Sequence, residues 1–369
     1  MSTDWFVVEN AAEIPSPSLL VYPARCRANL ERVLTMTGGP DRLRPHIKTH
    51  KLGEMAQMHV QAGVIQCKAA TIAEAELAAT HGMTDVLLSY QPVGPNVARL
   101  LELIRRFPQV TFRTIVDDSG ALKTLSAAAT QAGVKIPVLL DIDCGMHRTG
   151  VPPDERALAL YRELAKAPGL IADGLHAYDG HLHIEDLTAR TKACEDGMAP
   201  VLALRTQLQT EGLPVPRFIA GGTPTFPIHA NYPDRECSPG TYVFWDFGYG
   251  NRFKDLGFQQ AAMLLVRVIS KPGENRLCLD LGHKAVAAEN PHPRVFFPQL
   301  PDANAISQSE EHLVIETPRA NEFSVGDCLY GIPRHICPTV ALHGSVVTVE
   351  NRKAVGKWLV RGRERMLTI

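Results

Sequence analysis

Two hydrophobic rhythms divide this chain. Up to about residue 225, short β-prone runs alternate with alanine-rich stretches of helical period. The runs are 18–22, 43–48, 65–70, 85–90, 111–117, 138–143, 173–178 and 217–222. Between them lie segments such as ARCRANLERVLTM, TIAEAELAATHG and PNVARLLELIRRF, and a long one over about 187–211. Thr71 and Glu74 have capping-box spacing, which predicts a helix start there. Gly63, Gly82 and Gly133 follow helical runs, where a left-handed C-cap favours glycine. Strands alternating with helices predict parallel βαβ units, and eight of them predict a closed (β/α)8 barrel. A doubly wound open sheet is the rival.

Past about residue 240 the pattern changes. TYVFWDF, NRLCLDLG, HLVIET, DCLYGIP and TVALHGSVVTV are β-like, with glycine, proline and asparagine between them. The expected organisation is therefore α/β: a barrel over 15–245 and a smaller, mostly β domain made of 1–14 with 246–369. DWFVVEN near the N-terminus is expected to add a strand to that domain.

Composition narrows the function classes. The chain has 369 residues, 38 basic and 39 acidic, so its formal net charge is −1. That leaves no basic field to hold a phosphate backbone, and nucleic acid is not expected as a partner. No apolar run approaches the ~20 residues that a membrane helix needs. The first residues carry neither a basic n-region nor a long apolar core, so no secretory signal is expected. The 8 cysteines are scattered without a CxxC pair and read as reduced thiols, with the cytoplasm as the expected compartment.

Six constellations could carry chemistry. RPHIKTHK (44–51) ends the second expected strand, on the face where barrels place their active sites. Lys48 sits there among Arg44, His46, His50 and Lys51, and neighbouring cations free a lysine amine for Schiff-base chemistry. A basic rim loop is the plainer reading. AGGTPT (220–225) follows the expected eighth strand, where backbone N–H groups can cradle a phosphate; a simple glycine turn would look the same. SPGTY (238–242) could close the other side of that phosphate, or merely lead into a strand. In DIDCGMHRTGV (141–151), Arg148 follows a glycine turn and can face an anionic oxygen or a ring nitrogen, or make a surface ion pair. GLHAYDGHLHIED (174–186) crowds three histidines, a tyrosine and aspartates at a strand end. In HIC (335–337), His335 and Cys337 would share one face of a strand, and imidazole with thiolate favours zinc. A buried cysteine beside a structural histidine is the alternative there.

In their order along the chain, RPHIKTHK, DCGMHRTGV, GLHAYDGH, GGTPT, SPGTY and HIC resemble the pyridoxal-phosphate enzymes of the D-threonine aldolase and D-serine dehydratase group. The resemblance covers about residues 15–345. It implies the alanine-racemase-like fold, a (β/α)8 barrel followed by a β domain. It implies that Lys48, rather than Lys51, holds pyridoxal 5′-phosphate through a Schiff base. Gly221, Gly222 and Thr223, with Gly240, Thr241 and Tyr242, match the phosphate loops. Arg148 and Tyr178 match residues beside the cofactor ring. His335 and Cys337 match a divalent-metal pair, with zinc favoured and manganese or magnesium as alternatives.

The expected activity is that of a D-threonine aldolase. It cleaves small β-hydroxy D-amino acids to glycine and an aldehyde, with His181 as the candidate base and His183 in reserve. Aldolases of the group often carry aspartate where Cys337 stands and dehydratases carry cysteine, so a D-serine or 3-hydroxy-D-aspartate dehydratase is the second reading. A non-catalytic pyridoxal-phosphate homeostasis protein is a third, and residues 250–369 count against it. The fold implies a head-to-tail homodimer.

Overall fold

The computed structural model describes residues 5–369; the first four residues of the chain, including Asp4 of DWFVVEN, lie outside the described residues. The chain forms two compact units. One holds the residues up to Arg32, 49–52 and Thr241–Arg363; the other holds Val33–Lys48, Gly53–Gly240 and Glu364–Ile369.

The larger unit is built on parallel strands. These are β2 (Gln66–Ala69), β3 (Asp85–Leu88), β4 (Thr111–Val116), β5 (Ile136–Ile142), β6 (Leu170–Ala177), β7 (Arg217–Ala220) and β8 (Glu236–Cys237), paired in sequence order. Residues 43–46 occupy the first barrel position. Leu43 bridges Cys237 and His46 bridges Lys68, both parallel. The Arg44 N–H donates to the Cys237 carbonyl (2.8 Å) and the Lys68 N–H to that of Pro45 (2.9 Å). Pro45 has no N–H to extend the ladder, so this segment closes the ring by bridges rather than as a regular strand.

The period of two sorts the side chains of these strands. Val86 and Leu88, Val138 and Leu140, and Phe218 and Ala220 join the large core against the helices. Between them, Leu87, Ile115, Leu139 and Ile219 form a separate buried cluster inside the barrel. Lys68, Asp141 and His176 share that inward parity and lie near the C-terminal strand ends. Asp85, Arg113 and Arg217 share it near the opposite ends. The interior is thus layered: ion pairs, then aliphatic side chains, then a polar floor beneath the active face.

The helices follow the expected signals. Thr71 Oγ1 accepts from the Glu74 N–H (3.1 Å), while the Glu74 carboxylate accepts from Ala70 (2.6 Å). Gly63, Gly82 and Gly133 all take positive φ (85°, 92° and 66°). The long helix Leu187–Thr210 is capped by Asp186.

The smaller unit contains one mixed sheet. It orders β12 (Asn304–Gln308), β13 (Leu313–Glu316), β10 (Arg276–Leu279), β9 (Ala262–Gly273), β1 (Ser18–Val21), β15 (Ser345–Glu350) and β16 (Lys353–Leu359). β14 (Cys328–Pro333) also pairs with β9, and β11 (Val295–Phe296) with β14. This corrects the strand count. The run 18–22 is not a barrel strand: β1 pairs antiparallel with β9 and parallel with β15. Leu19, Leu20 and Val21 are apolar and buried on both faces, and such a run carries no mark of which sheet it enters. Each later barrel strand therefore moves down one place, and the eighth is Glu236–Cys237. The described part of DWFVVEN forms no strand. Phe6 and Val8 pack against Tyr22, Met263 and Tyr330, and the Val8 N–H donates to the Tyr330 hydroxyl (3.0 Å).

Candidate active site

A cavity of about 560 Å³ opens at the C-terminal ends of the barrel strands. Its lining includes Lys48, Lys68, Asp141, Arg148, His176 and Tyr178. Three cations surround the Tyr178 ring: Lys48 Nζ at 5.7 Å from its centroid, Lys68 Nζ at 5.2 Å and Arg148 Cζ at 5.1 Å. Tyr178 itself is held by glycines. A Cβ on Gly180 would fall 2.1 Å from the ring and one on Gly222 2.9 Å, so only glycine admits the ring here.

The cation company of Lys48 differs from the expected one. Arg44 points to the opposite end of the barrel, where it pairs with Asp85 (2.8 Å) and Glu236 (2.6 Å). Lys51 is left-handed (φ 55°) and directs Nζ to the Gly362 carbonyl (3.4 Å). His50 is buried in the smaller unit. His46 does line the cavity, but burial, then Lys48 and Lys68, hold its pKa well below the usual imidazole value, so it is neutral. The neighbouring charge is Lys68, from the next strand. Its Nζ lies 3.3 Å from His176 Nε2, and His176 Nδ1 lies 2.6 Å from Asp141 Oδ1. The Asp141 carboxylate only accepts, so the imidazole proton sits on Nδ1 and Nε2 is left to accept from Lys68. Burial lowers Lys68 to about 7, and Lys48 and Arg148 push the same way against Asp141 and Asp179. Lys68 lies outside the six constellations; Asp141 and His176 fall within DIDCGMHRTGV and GLHAYDGHLHIED, but the sequence reading gave neither a role of its own. The available signal was a charged or polar residue at an inward position of an otherwise apolar strand.

The loop carrying Arg148 is fixed by Asp143. Its Oδ1 accepts from the N–H of Gly145 (3.0 Å) and His147 (2.9 Å), and Oδ2 pairs with His147 Nδ1 (2.8 Å). His181 is exposed, with Nε2 against Gly145, where an added Cβ would come within 3.1 Å; His183 is also exposed.

The two glycine loops follow β7 and β8, one strand earlier than expected for the first. The Thr223 hydroxyl accepts from the Gly240 N–H (3.1 Å), tying one loop to the other. Two loop amides are already spent: Gly221 N–H on Ala177 O (3.3 Å) and Gly222 N–H on Thr225 Oγ1 (3.1 Å). Thr225 in turn donates to Asp179 (2.6 Å), which also bonds His229 Nε2 (2.8 Å). Gly221 needs its positive φ (83°) and its missing Cβ, which would sit 2.7 Å from His229. Asp179, His229 and Cys194 bring their ligand atoms close enough to grip a metal ion. Arg235 decides against that use. It donates to His229 Nδ1 (2.9 Å), which leaves the imidazole proton on Nε2, the atom a metal would need. The cluster is a hydrogen-bonded foundation for the glycine loop.

In the smaller unit, HIC is not on a strand. β14 ends at Pro333, His335 is the N-cap of the helix Ile336–Leu342, and Cys337 is in its first turn. Pro338 suits that turn, where no N–H is missed. The two side chains still meet: the Cys337 thiol and Glu289 outweigh burial and raise His335 to about 9. Cys337 Sγ also lies 3.2 Å from Thr49 Oγ1 and 3.7 Å from Thr241 Oγ1. Imidazole and thiol form a donor pair that fits a borderline-soft divalent ion, and the two threonine hydroxyls can hydrogen-bond the sulfur. Tyr242 is fully buried, its ring 5.8 Å from that of Phe258, so its side chain belongs to the core.

The family described as alanine racemase, N-terminal domain, matches residues 21–246, and a putative serine dehydratase domain matches 261–349. A D-threonine aldolase from Arthrobacter sp. is 30% identical over 358 residues, covering 95% of this chain and 93% of that protein. The chain belongs to the D-threonine aldolase and D-serine dehydratase-like family. A 3-hydroxy-D-aspartate aldolase from Paracoccus denitrificans (strain Pd 1222) is also 30% identical, over 367 residues, with 95% and 93% coverage. The crystal structure of D-threonine aldolase from Filomicrobium marinum superposes with a TM-score of 0.89 at 25% identity, covering 97% of this chain and 98% of that one. The family implies pyridoxal phosphate, and the barrel fits it. An amine on a flexible stem, an aromatic face, an arginine and two linked glycine loops converge on the active face.

Proposed function

We propose that this protein is a pyridoxal-phosphate- and divalent-metal-dependent D-threonine aldolase that cleaves D-3-hydroxy-amino acids to glycine and an aldehyde. The observation that carries the reading is the cavity in which Lys48 and Arg148 flank the Tyr178 ring, in a chain 30% identical to two D-hydroxy-amino-acid aldolases. Bound through Lys48, the cofactor supplies an electron sink for charge left at the substrate Cα. Arg148 holds the ring's polar edge, and Tyr178 supports one face. Thr223, Gly221 and Gly222, with Gly240 and Thr241, form the phosphate seat. His335 and Cys337 hold the metal. His181, exposed on the loop after β6, takes the β-hydroxyl proton as the Cα–Cβ bond breaks. The substrate is a small β-hydroxy D-amino acid, and the working form is a homodimer.

Cys337 and the serine dehydratase match favour a second reading, loss of the β-hydroxyl to give a 2-oxo acid and ammonia. One experiment separates them. With D-threonine, the aldolase releases glycine and acetaldehyde, whereas the dehydratase releases 2-oxobutyrate and ammonia. L-Threonine is expected to be inert. Chelation, or Cys337→Ala, is expected to stop turnover while the yellow cofactor absorbance remains; full activity in chelator would remove the metal from the reaction.

A further inference from the structure

The barrel interior holds a second lysine where its neighbours place leucine and isoleucine. Lys68 is 2% exposed, and its inward position is level with Leu87 on the next strand. Burying an amine there costs free energy unless it is held. It is held by a directed chain, Lys68 to His176 to Asp141, in which His176 and Asp141 are each 4% exposed. Two lysines and an arginine share one aromatic ring and one cavity.

We propose that Lys68, anchored by His176 and Asp141, is the positioning residue whose charge frees the Lys48 amine to bond the cofactor carbonyl. This rests on the reading that Lys48 carries the cofactor. Only a neutral amine has the lone pair that adds to an aldehyde carbon. The C–N bond forms, both amine protons leave with the carbonyl oxygen as water, and nothing is oxidised or reduced. Lys68 is buried and Lys48 half-buried, and both amines approach the same Tyr178 ring; like charges so placed repel, so a proton on either disfavours one on the other and the two titrate as a pair. The groups facing Lys68 are few. Lys48 and Arg148 repel its proton, Asp141 and Asp179 attract it, and His46 and His176 are neutral. Two further carboxylates line the cavity and are engaged elsewhere: Asp117 by the Gly150 N–H (2.8 Å) and Asp143 by the 145–147 turn.

The test follows the rate at which the cofactor-stripped full-length protein captures added pyridoxal phosphate, read as yellow absorbance from pH 5 to 10. Borohydride reduction and peptide mass spectrometry then locate the label. Wild type is expected to carry it on Lys48. In Lys68→Met the midpoint of the rate profile is expected to rise by about one pH unit or more, a roughly tenfold slower capture on the acid side. Lys68→Arg, which keeps a charge, is expected to hold the midpoint at or below that of wild type. Lys68→Gln repeats the measurement should the methionine variant fail to fold. A folded Lys68→Met or Lys68→Gln protein with the wild-type midpoint would overturn the inference. Capture lost at every pH in a folded variant would do the same, since that is the mark of a merely structural lysine. Lys48→Ala separates the two claims: colour that persists there removes Lys48 itself, whatever Lys68 does.

Discussion

The two ends of the barrel bury similar side chains to opposite purposes. At the N-terminal strand ends, Arg44, Arg113 and Arg217 meet Asp85, Asp173 and Glu236. The charges balance, and each side holds the other: burial would lower Arg44 and raise Asp85, but their pairing raises Arg44 above its usual value and lowers Asp85 to about 2. At the C-terminal ends, Lys48, Lys68 and Arg148 gather around Tyr178, and Asp141 reaches Lys68 only through an imidazole. The first end is a closed network that fixes the staves of the barrel. The second is an open one: its cations face a cavity while the carboxylates around them are taken up by backbone N–H groups, a hydroxyl and an imidazole, and cations that face a cavity can receive an anion.

The contrast can be broken from either end. The largest effect is expected from Lys48→Ala, which should abolish the yellow absorbance and reduce turnover to background, while the urea midpoint barely moves. Arg44→Met does the converse. It leaves Asp85 and Glu236 without their fully buried partner and is expected to cost about 3–5 kcal/mol in urea unfolding, with folded protein still yellow. Lys68→Met should stabilise the protein. The Lys68 folded value of about 7 lies below the ordinary 10.5, so across that window the unfolded chain binds a proton that the folded one does not. Wild-type stability therefore rises with pH through this range. The variant is expected to lead by on the order of 4 kcal/mol at pH 7 and by about 1 kcal/mol at pH 10, as checked by thermal melts at both. The smallest effect belongs to Thr225→Val, which cuts the link from Gly222 to Asp179. A loss of about 1 kcal/mol, or roughly fivefold, is expected in affinity for pyridoxal phosphate, with affinity for phosphate-free pyridoxal unchanged.

Much of this was legible before any coordinates. The motif order pointed to Lys48, Arg148, Tyr178 and the glycine loops, and the structure puts Lys48, Arg148 and Tyr178 around one cavity. Local signals held because they depend on neighbours in sequence, as at Thr71 and Gly82. What failed depends on distant partners. Leu19, Leu20 and Val21 look like any buried strand, and only β9 and β15 decide where they go. His335 and Cys337 were expected on a strand because a two-residue spacing suits one, yet a helix start at Ile336 brings the same atoms together. Lys68 hid between Cys67 and Ala69 in β2, since a lone lysine in a short run shows nothing until its inward parity is known.

β1 has a last consequence, for the order in which the chain is made. Ser18–Val21 leaves the ribosome early, but its neighbour β9 begins at Ala262, roughly 240 residues later, and β15 at Ser345. At ~5–20 residues per second, that apolar strand waits roughly 12–50 s with both edges unpaired while the barrel between is synthesised. Nascent chains stalled before residue 262 would carry a nearly complete barrel and one sticky, orphaned ribbon. Chaperone capture during translation should therefore concentrate on the first strand of the chain rather than on its largest fold.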